Sequence, residues 1–172
     1  GGDFAGDTSA AEPALLMDNV DLRGTVFVGC TFGRASFLGG VGDSGLKPAW
    51  GLVFRGNRLG EVIFSRYDCD GGAFDDINID TQFAFDECSL LRSKFSGIRD
   101  SGHGGVLDVR SSDLLYAEIE QTLLDCITPT EEGAPATGGV LAISPGQLDT
   151  ARKSAEGRKQ LRLLDRKSDR KR

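Results

Sequence analysis

Apolar residues recur at every fifth position over long stretches of this chain, and Phe is the commonest of them. The repeated positions, called central positions below, form four in-phase runs: Leu22, Phe27, Phe32 and Phe37; Phe54, Leu59, Phe64, Cys69, Phe74 and Ile79; Phe85, Leu90 and Phe95; and Val109, Leu114, Ile119 and Leu124. A helix would repeat every 3.6 residues and a strand every 2. A period of five fits neither, so it predicts a repeat architecture.

A five-residue period with one inward residue per pentad predicts a coil that turns a corner at every pentad. Four corners close a square coil of about 20 residues, and coils stack at about 4.8 Å. Central residues four pentads apart then share a face, so we expect Phe54, Phe74 and Phe95 in one column and Phe64 under Phe85. The residue two before each central position should also face inward.

Several pentads resemble the consensus of the pentapeptide-repeat family: a small residue, Asp or Asn, then Leu or Phe, then two polar residues. The resemblance is carried by segments 20–24, 30–34, 77–81 and 112–116, which read VDLRG, CTFGR, INIDT and SDLLY. It implies an all-β solenoid, a right-handed quadrilateral β-helix of about four coils over residues 20–126. Segments 38–51 and 96–106 interrupt the period as Gly-rich inserts and are expected to be surface loops. One extra residue near Ala84 predicts a bulge.

The two ends of the chain differ from the repeats. Residues 1–19 are predicted to be an N-terminal extension in which Pro13–Met17 caps the first coil. Residues 127–143 are predicted to be an extended linker. Ser144, Pro145 and Gln147 then form a capping-box pattern, which predicts a helix at the start of a basic C-terminal arm, residues 144–172. The chain begins with Gly1 and not with Met, which makes organellar import or secretion plausible.

The net charge of −6 conceals a division between the repeats and the arm. Residues 1–148 hold 22 acidic and 10 basic residues, a net charge of −12, whereas residues 149–172 hold 4 acidic and 10 basic residues, a net charge of +6. The arm is predicted to dock on a protein partner. The alternatives are a solvated tail, or binding to nucleic acid or anionic lipid. Its candidate docking residues are Arg152, Lys153, Arg158, Lys159, Arg162, Arg166 and Lys167.

The sequence offers no pattern typical of an enzyme, a cofactor site or a metal site. The single His, His103, lies in a Gly-rich insert with no orienting partner nearby in sequence, and no phosphate-loop or nucleophile motif occurs. Cys69 and Cys88 could meet on one face of adjacent coils, either as a disulfide or as buried free thiols. No apolar run is long enough to span a membrane, although peripheral membrane association is left open.

An acidic belt is the remaining candidate site, formed by Asp70, Asp75, Asp80 and Asp86. Each follows a central residue in successive pentads, so the belt should run around one coil and not along the axis. Some pentapeptide-repeat proteins are acidic rods that occupy the DNA-binding saddle of type II topoisomerases, which requires charge along the axis. The preferred hypothesis is therefore a non-enzymatic scaffold or accessory subunit that docks in a larger assembly, with topoisomerase regulation by DNA mimicry as the alternative. Other family members occur in the thylakoid lumen, so the resemblance also implies a plastid location.

Overall fold

The computed structural model describes residues 3–4, 15–40, 45–124, 140–144, 147 and 162–164. These residues form three parallel sheets and almost no helix, a fold consistent with a β-solenoid or β-helix. The first sheet contains β1 (Asp3–Phe4), β2 (Leu15–Asp18), β4 (Thr31–Leu38), β7 (Arg58–Ser65), β10 (Asn78–Asp86), β12 (Arg99–Asp100), β13 (Val106–Asp108) and β15 (Leu141–Ala142). The second contains β3 (Val26–Val28), β6 (Val53–Arg55), β9 (Ala73–Asp75), β11 (Lys94–Ser96), β14 (Glu118–Glu120) and β16 (Arg162–Leu164). The third pairs β5 (Lys47–Pro48) with β8 (Tyr67–Asp68), and the short helix α1 spans Gln121–Leu124.

Strand register stacks the central residues in columns. In the second sheet Phe54 pairs with Phe74 and Phe74 with Phe95, while in the first sheet Phe64 pairs with Phe85. The rings of Phe74 and Phe95 stack with centroids 4.9 Å apart, and those of Phe64 and Phe85 at 5.5 Å. All five rings are almost fully buried. Since each buried Phe contributes roughly 1.5–3 kcal/mol, these columns are the main source of stability.

Turns between the short strands explain how a sequence period of five is compatible with a sheet structure. The residue two after a central residue has positive φ at ten of the positions named above: Gly24, Gly29, Gly56, Arg66, Gly71, Asp76, Glu87, Arg92, Gly97 and Tyr116. A residue in this left-handed region turns the chain sharply, and Gly adopts it without the steric penalty that Cβ imposes. The second polar position of the pentad therefore forms the turn at these places. The expected corner at every pentad is not seen, because β4 and β7 each run through two pentads without a turn at Arg34 or Glu61.

In some pentads, the residue two before the central residue is polar and its side chain binds the backbone of the neighbouring layer. Asn57 is 1% exposed; its Oδ1 accepts from Cys30 N at 2.8 Å, and its Nδ2 donates to Phe27 O at 3.0 Å. Ser93 Oγ likewise donates to Cys69 O at 2.8 Å. Bulky Leu52, Tyr67, Ile77 and Phe83 are also fully buried at this position, whereas Thr122 is exposed. These bonds satisfy backbone groups inside the core, where an unpaired group would be costly.

The expected boundaries of both inserts need correction. Lys47 and Pro48 form β5, which pairs with β8, and Ala49 is fully buried in the central-residue column that also contains Cys69. In the second insert, Arg99 and Asp100 form β12, which pairs with Asn78 and Ile79 of β10. The period thus continues into both segments. The prediction failed because Ala49 and Asp100 occupy central positions without the large apolar side chain that marks the others.

The predicted bulge is confirmed, a few residues upstream of Ala84. Strands β7 and β10 pair from Asn78 to Ile79, and the register then shifts before Gln82, so the extra residue lies upstream of Ala84. Gly60 stands opposite this shift, and a Cβ added to it would lie 2.1 Å from Gly33 O. The tight approach of the layers at this corner explains the use of Gly on two successive turns.

At the C-terminal end, part of the predicted linker belongs to the core. Leu141 and Ala142 form β15, which pairs with β13, and Ile143 is fully buried. The expected capping box forms: Ser144 N donates to Gln147 Oε1 at 2.9 Å, and Gln147 N donates to Ser144 Oγ at 3.3 Å. Gln147 Nε2 also donates to Val109 O and Ser112 O, which fastens this segment to the repeats.

The rest of the predicted helical arm lies outside the described residues except for one segment. There Arg162–Leu164 is not helical but forms β16, which pairs with Glu118–Glu120 of β14. Tertiary pairing with the end of the second sheet has overridden the local helical preference of this Leu- and Arg-rich segment.

Candidate functional surface

Exposed apolar side chains are concentrated at the N-terminal end of the repeats. Seven of the eight large hydrophobic residues that are exposed in the described part of the chain lie between residues 16 and 50. We call these seven the N-terminal collar: Leu16, Val20, Val26, Val28, Leu38, Leu46 and Trp50. The eighth, Tyr116, lies near the other end. Exposed apolar residues concentrated at one end of a molecule are a candidate interaction site, whereas scattered single exposed residues are normal.

The collar follows from the pentad pattern, although the sequence reasoning missed it. Val26 and Val28 flank the central residue Phe27, so they point away from the core, and they are 57% and 49% exposed. In the later layers Val28 is followed by the charged residues Arg55 and Asp75, whereas Val26 is followed by Val53 and then Ala73. The sequence did contain one sign of this surface: no charged residue lies directly beside Phe27, where Val26 and Val28 stand.

Trp50 is the largest collar residue, and it is 51% exposed. The guanidinium carbon of Arg23 lies 5.7 Å from the centre of its ring, which is a cation–π contact. Arg23 also forms an ion pair with Asp21. The indole thus lies beside a charged pair and remains half-exposed; Trp is enriched among the residues that anchor protein interfaces.

Ion pairs between neighbouring layers neutralise much of the surface beyond the collar. In the acidic belt, Asp70 lies 3.9 Å from Arg92, Asp75 lies 3.5 Å from Arg55, and Asp80 accepts from Arg58 at 2.8 Å. The fourth member, Asp86, accepts a hydrogen bond from Ser111 Oγ at 3.1 Å. The same pattern links Arg66 to Glu87 and Asp76 to Arg99.

These pairs alternate positive and negative groups along the axis. Arg58 therefore lowers the pKa of Asp80, chiefly through its hydrogen bond. Pairs this exposed contribute little to stability, but they cancel the field that an acidic rod would otherwise project. The pattern gives no support to the hypothesis of DNA mimicry, which needs unpaired negative charge along the axis.

A shallow cleft of 290 Å³ opens on the outer side of the first sheet. Its apolar floor includes Ile63 and Ala84, and its polar wall includes Asp86, Asp108 and Arg110. Arg110 donates to Asp108 through Nε at 2.9 Å and Nη2 at 2.6 Å, in the most buried ion pair of the described residues. Because the charges of Asp108 and Arg110 are paired with each other, the cleft offers few polar groups for binding a ligand.

Cys69 and Cys88 are buried free thiols, and they do not occupy the same position of the pentad. Cys69 is a central residue, whereas Cys88 lies two residues before the central Leu90 and accepts a hydrogen bond from Tyr67 N at 3.4 Å. The pKa of the Cys69 thiol is raised well above its ordinary value, chiefly by the hydrogen bond with Cys88 and then by burial. A thiol so buried behaves as a small core residue and not as a nucleophile.

The loop that contains His103 is organised by Asp100. Asp100 Oδ1 accepts from Gly102, His103 and Gly105 backbone N–H groups at 3.0, 3.1 and 2.8 Å. These bonds, led by that of Gly105, lower the pKa of Asp100. The carboxylate at a central position therefore closes a turn.

The predicted docking residues of the arm lie outside the described residues, apart from the backbone of Arg162 in β16. Within the described part of the chain, no group of three or more His, Cys, Asp or Glu is arranged to hold a metal ion. No helix among the described residues is long and apolar enough to cross a membrane. Comparison with family models, curated proteins and solved structures finds no match to this chain.

Proposed function

We propose that this protein is a non-enzymatic docking subunit whose N-terminal collar binds a protein partner. Its proposed scaffold is a right-handed quadrilateral β-helix of the pentapeptide-repeat type. The support for that scaffold is the register, which stacks central residues in four columns that pass through Cys69, Phe74, Ile79 and Phe85. Such a rod holds its side chains rigidly, so little entropy is lost when a partner binds.

The observation that carries the proposal is the contrast between the collar and the rest of the surface. Seven exposed apolar residues lie in the first layers, alongside the ion pairs Asp21–Arg23 and Arg34–Glu61, whereas in the described part of the chain beyond them the exposed surface is mainly charged and cross-linked by ion pairs. An apolar patch on a soluble rod has a continuing cost in water unless a partner covers it. The proposal therefore places docking at one end of the rod.

The basic arm is proposed as a second, electrostatic contact of the same partner. Its net charge of +6 opposes the −12 of residues 1–148, so it suits an acidic surface of the partner. Charge of this kind accelerates association more than it adds affinity.

Affinity capture with full-length baits tests the proposal. Wild-type protein should retain a discrete partner, and Trp50→Ser should lose most of it, because a buried aromatic anchor of an interface typically contributes about 2 kcal/mol or more. Tyr116→Ser is the matched control, since Tyr116 is 52% exposed and Trp50 is 51% exposed. Capture that is unchanged by Trp50→Ser but lost with Tyr116→Ser would contradict docking at the collar.

A bait with Arg152, Lys153, Arg158 and Lys159 changed to Gln tests the arm separately. We expect slower association and a weaker dependence on salt, with the partner still retained at low ionic strength. Complete loss of the partner from this bait alone would transfer the docking function from the collar to the arm.

A further inference from the structure

The outer face of the first sheet carries an uncharged row of residues that begins at the collar. The register places Leu16 beside Ser36, Ser36 beside Ile63, and Ile63 beside Ala84 in successive layers. Leu16 belongs to the collar and is 56% exposed. Three steps between layers, of about 4.8 Å each, give the row a length of about 14 Å. A partner seated on the collar can therefore follow this row along the rod without meeting a charged residue in it.

The row ends in the cleft, and the small side chain of Ala84 is the reason that a depression exists there. Ile63 lies before Ala84 in the row and Asp108 lies after it, while Gln82 and Asp86 stand two residues away on either side along β10. Alternate residues of a strand point to the same face, so four longer side chains surround the small one. The volume of 290 Å³ lies just below the range of sites that take drug-sized ligands, so the cleft suits a single side chain.

Asp86 is the charged residue of the cleft that has no basic partner. Asp108 and Arg110 pair with each other. Within the described part of the chain, the Asp86 carboxylate accepts one hydrogen bond, from Ser111 Oγ to Oδ1 at 3.1 Å, and forms no ion pair. The other three members of the acidic belt each pair with an Arg. Oδ2 of Asp86 is therefore available to bind a cation.

The side-chain amide of Gln82 is the second polar group of the cleft that no described residue satisfies. Gln82 and Asp86 are four residues apart in β10, which separates their Cα atoms by about 13 Å. Both side chains line the cleft, so the gap between their polar ends is shorter and matches the four-carbon stem of a Lys side chain. A stem of this kind can lie on apolar floor while its ammonium reaches a carboxylate.

We propose that the cleft receives a Lys side chain of the protein partner that docks on the collar. Its ammonium binds Oδ2 of Asp86, its stem lies on Ile63 and Ala84, and the main chain beside it bonds to the amide of Gln82. Lys fits better than Arg because a bidentate guanidinium needs both carboxylate oxygens, and Ser111 already donates to Oδ1. This inference rests on the proposed docking function and names a residue that the partner presents.

A short peptide provides a defined probe of the cleft. Acetyl-Ala-Lys-Ala-amide is titrated into the isotope-labelled full chain, and the backbone amide signals are followed by nuclear magnetic resonance. We expect saturable shifts that are confined to the surroundings of the cleft, such as Ala84, Phe85 and Ser111. Norleucine in place of Lys keeps an apolar stem without the charge, and diaminopropionic acid keeps the charge on a shorter stem. Both altered probes should bind wild-type protein about fivefold or more weakly.

Two substitutions separate the cleft from the general acidity of the rod. Asp86→Asn removes the charge and should weaken binding of the Lys probe about fivefold or more. Asp113→Asn is the matched control: Asp113 is also exposed and has no ion pair in the described residues, but it pairs with Ser89 outside the cleft. This variant should bind within about twofold of wild type. Equal losses in the two variants, or equal binding of the norleucine probe to wild-type protein, would overturn the proposal.

The cleft and the collar can fail separately. Capture of the partner that depends on Trp50 but is unaffected by Asp86→Asn would leave docking at the collar standing and reject the cleft. Capture that depends on Asp86 but not on Trp50, together with the expected probe binding, would support the cleft and reject the collar as the main docking surface. Shifts of the same amides when the unliganded protein is diluted would assign the cleft to a second copy of this chain and overturn the separate partner.

Discussion

Replacement of Asn57 by Ala should destabilise the fold more than any other single loss of a polar side chain from these repeats. Asn57 is 1% exposed and forms two hydrogen bonds to the preceding layer, to Cys30 N at 2.8 Å and Phe27 O at 3.0 Å. Asn57→Ala removes both bonds and leaves the Cys30 N–H buried without this acceptor. Two net contributions of about 1 kcal/mol each, together with the penalty for an unpaired buried donor, give a loss of about 2–4 kcal/mol in the free energy of unfolding.

Urea denaturation followed by far-ultraviolet circular dichroism measures this loss, and thermal denaturation should show a midpoint lower by about 5–15 °C. Asn78→Ala is the matched control, because Asn78 is exposed in β10, and its replacement should change stability by no more than about 0.5 kcal/mol. If Asn57→Ala and Asn78→Ala had the same small effect, the hydrogen bonds of Asn57 to the preceding layer would not contribute to stability. The inward orientation assigned to the residue two before each central residue would then be wrong.

Three further predictions concern a close approach, a corner and a buried phenol. Gly60→Ala should destabilise by about 3 kcal/mol or more, measured by urea denaturation, because its Cβ would lie 2.1 Å from Gly33 O; wild-type stability would contradict the register there. Tyr116→Gly should stabilise by about 0.5 kcal/mol in the same assay, because Tyr116 has φ of 60° at an exposed corner, and a loss would refute the corner assignment. Burial raises the pKa of Tyr67, which donates to Val20 O, to about 12, so ultraviolet titration should show a phenol that ionises there, and the stability from this group should be lost as pH rises from about 10 to 12. A titration complete below pH 11 would contradict that burial.

The five-residue period predicted the interior because a large apolar side chain is a clear marker of an inward position. Phe54, Phe74 and Phe95 could be placed in register from their spacing alone. Where the inward residue is small or polar, as with Ala49 and Asp100, the marker is absent and the period seemed to stop. Only pairing with neighbouring strands identifies such residues, and a single sequence does not contain that information.

The candidate surface was less predictable than the core for a related reason. The run of acidic residues predicted a candidate site at the acidic belt. In the structure, however, Arg residues some 20 positions away in sequence pair with Asp75 and Asp80. The apolar collar consists of residues that lie far apart in sequence, such as Leu16 and Trp50, and that surround one end only after the layers stack. Only part of the role of Gln147 could be predicted from sequence. Its capping box follows a local pattern, whereas its hydrogen bonds to Val109 and Ser112 depend on tertiary contact.

The most direct test of docking at the collar is photocross-linking from two matched positions. Benzoylphenylalanine replaces Trp50 in one full-length protein and Tyr116 in another, and both are irradiated with the captured partner. The account predicts a discrete cross-linked product from position 50 and none from position 116. A product from position 116 alone, or equal products from both positions, would contradict it.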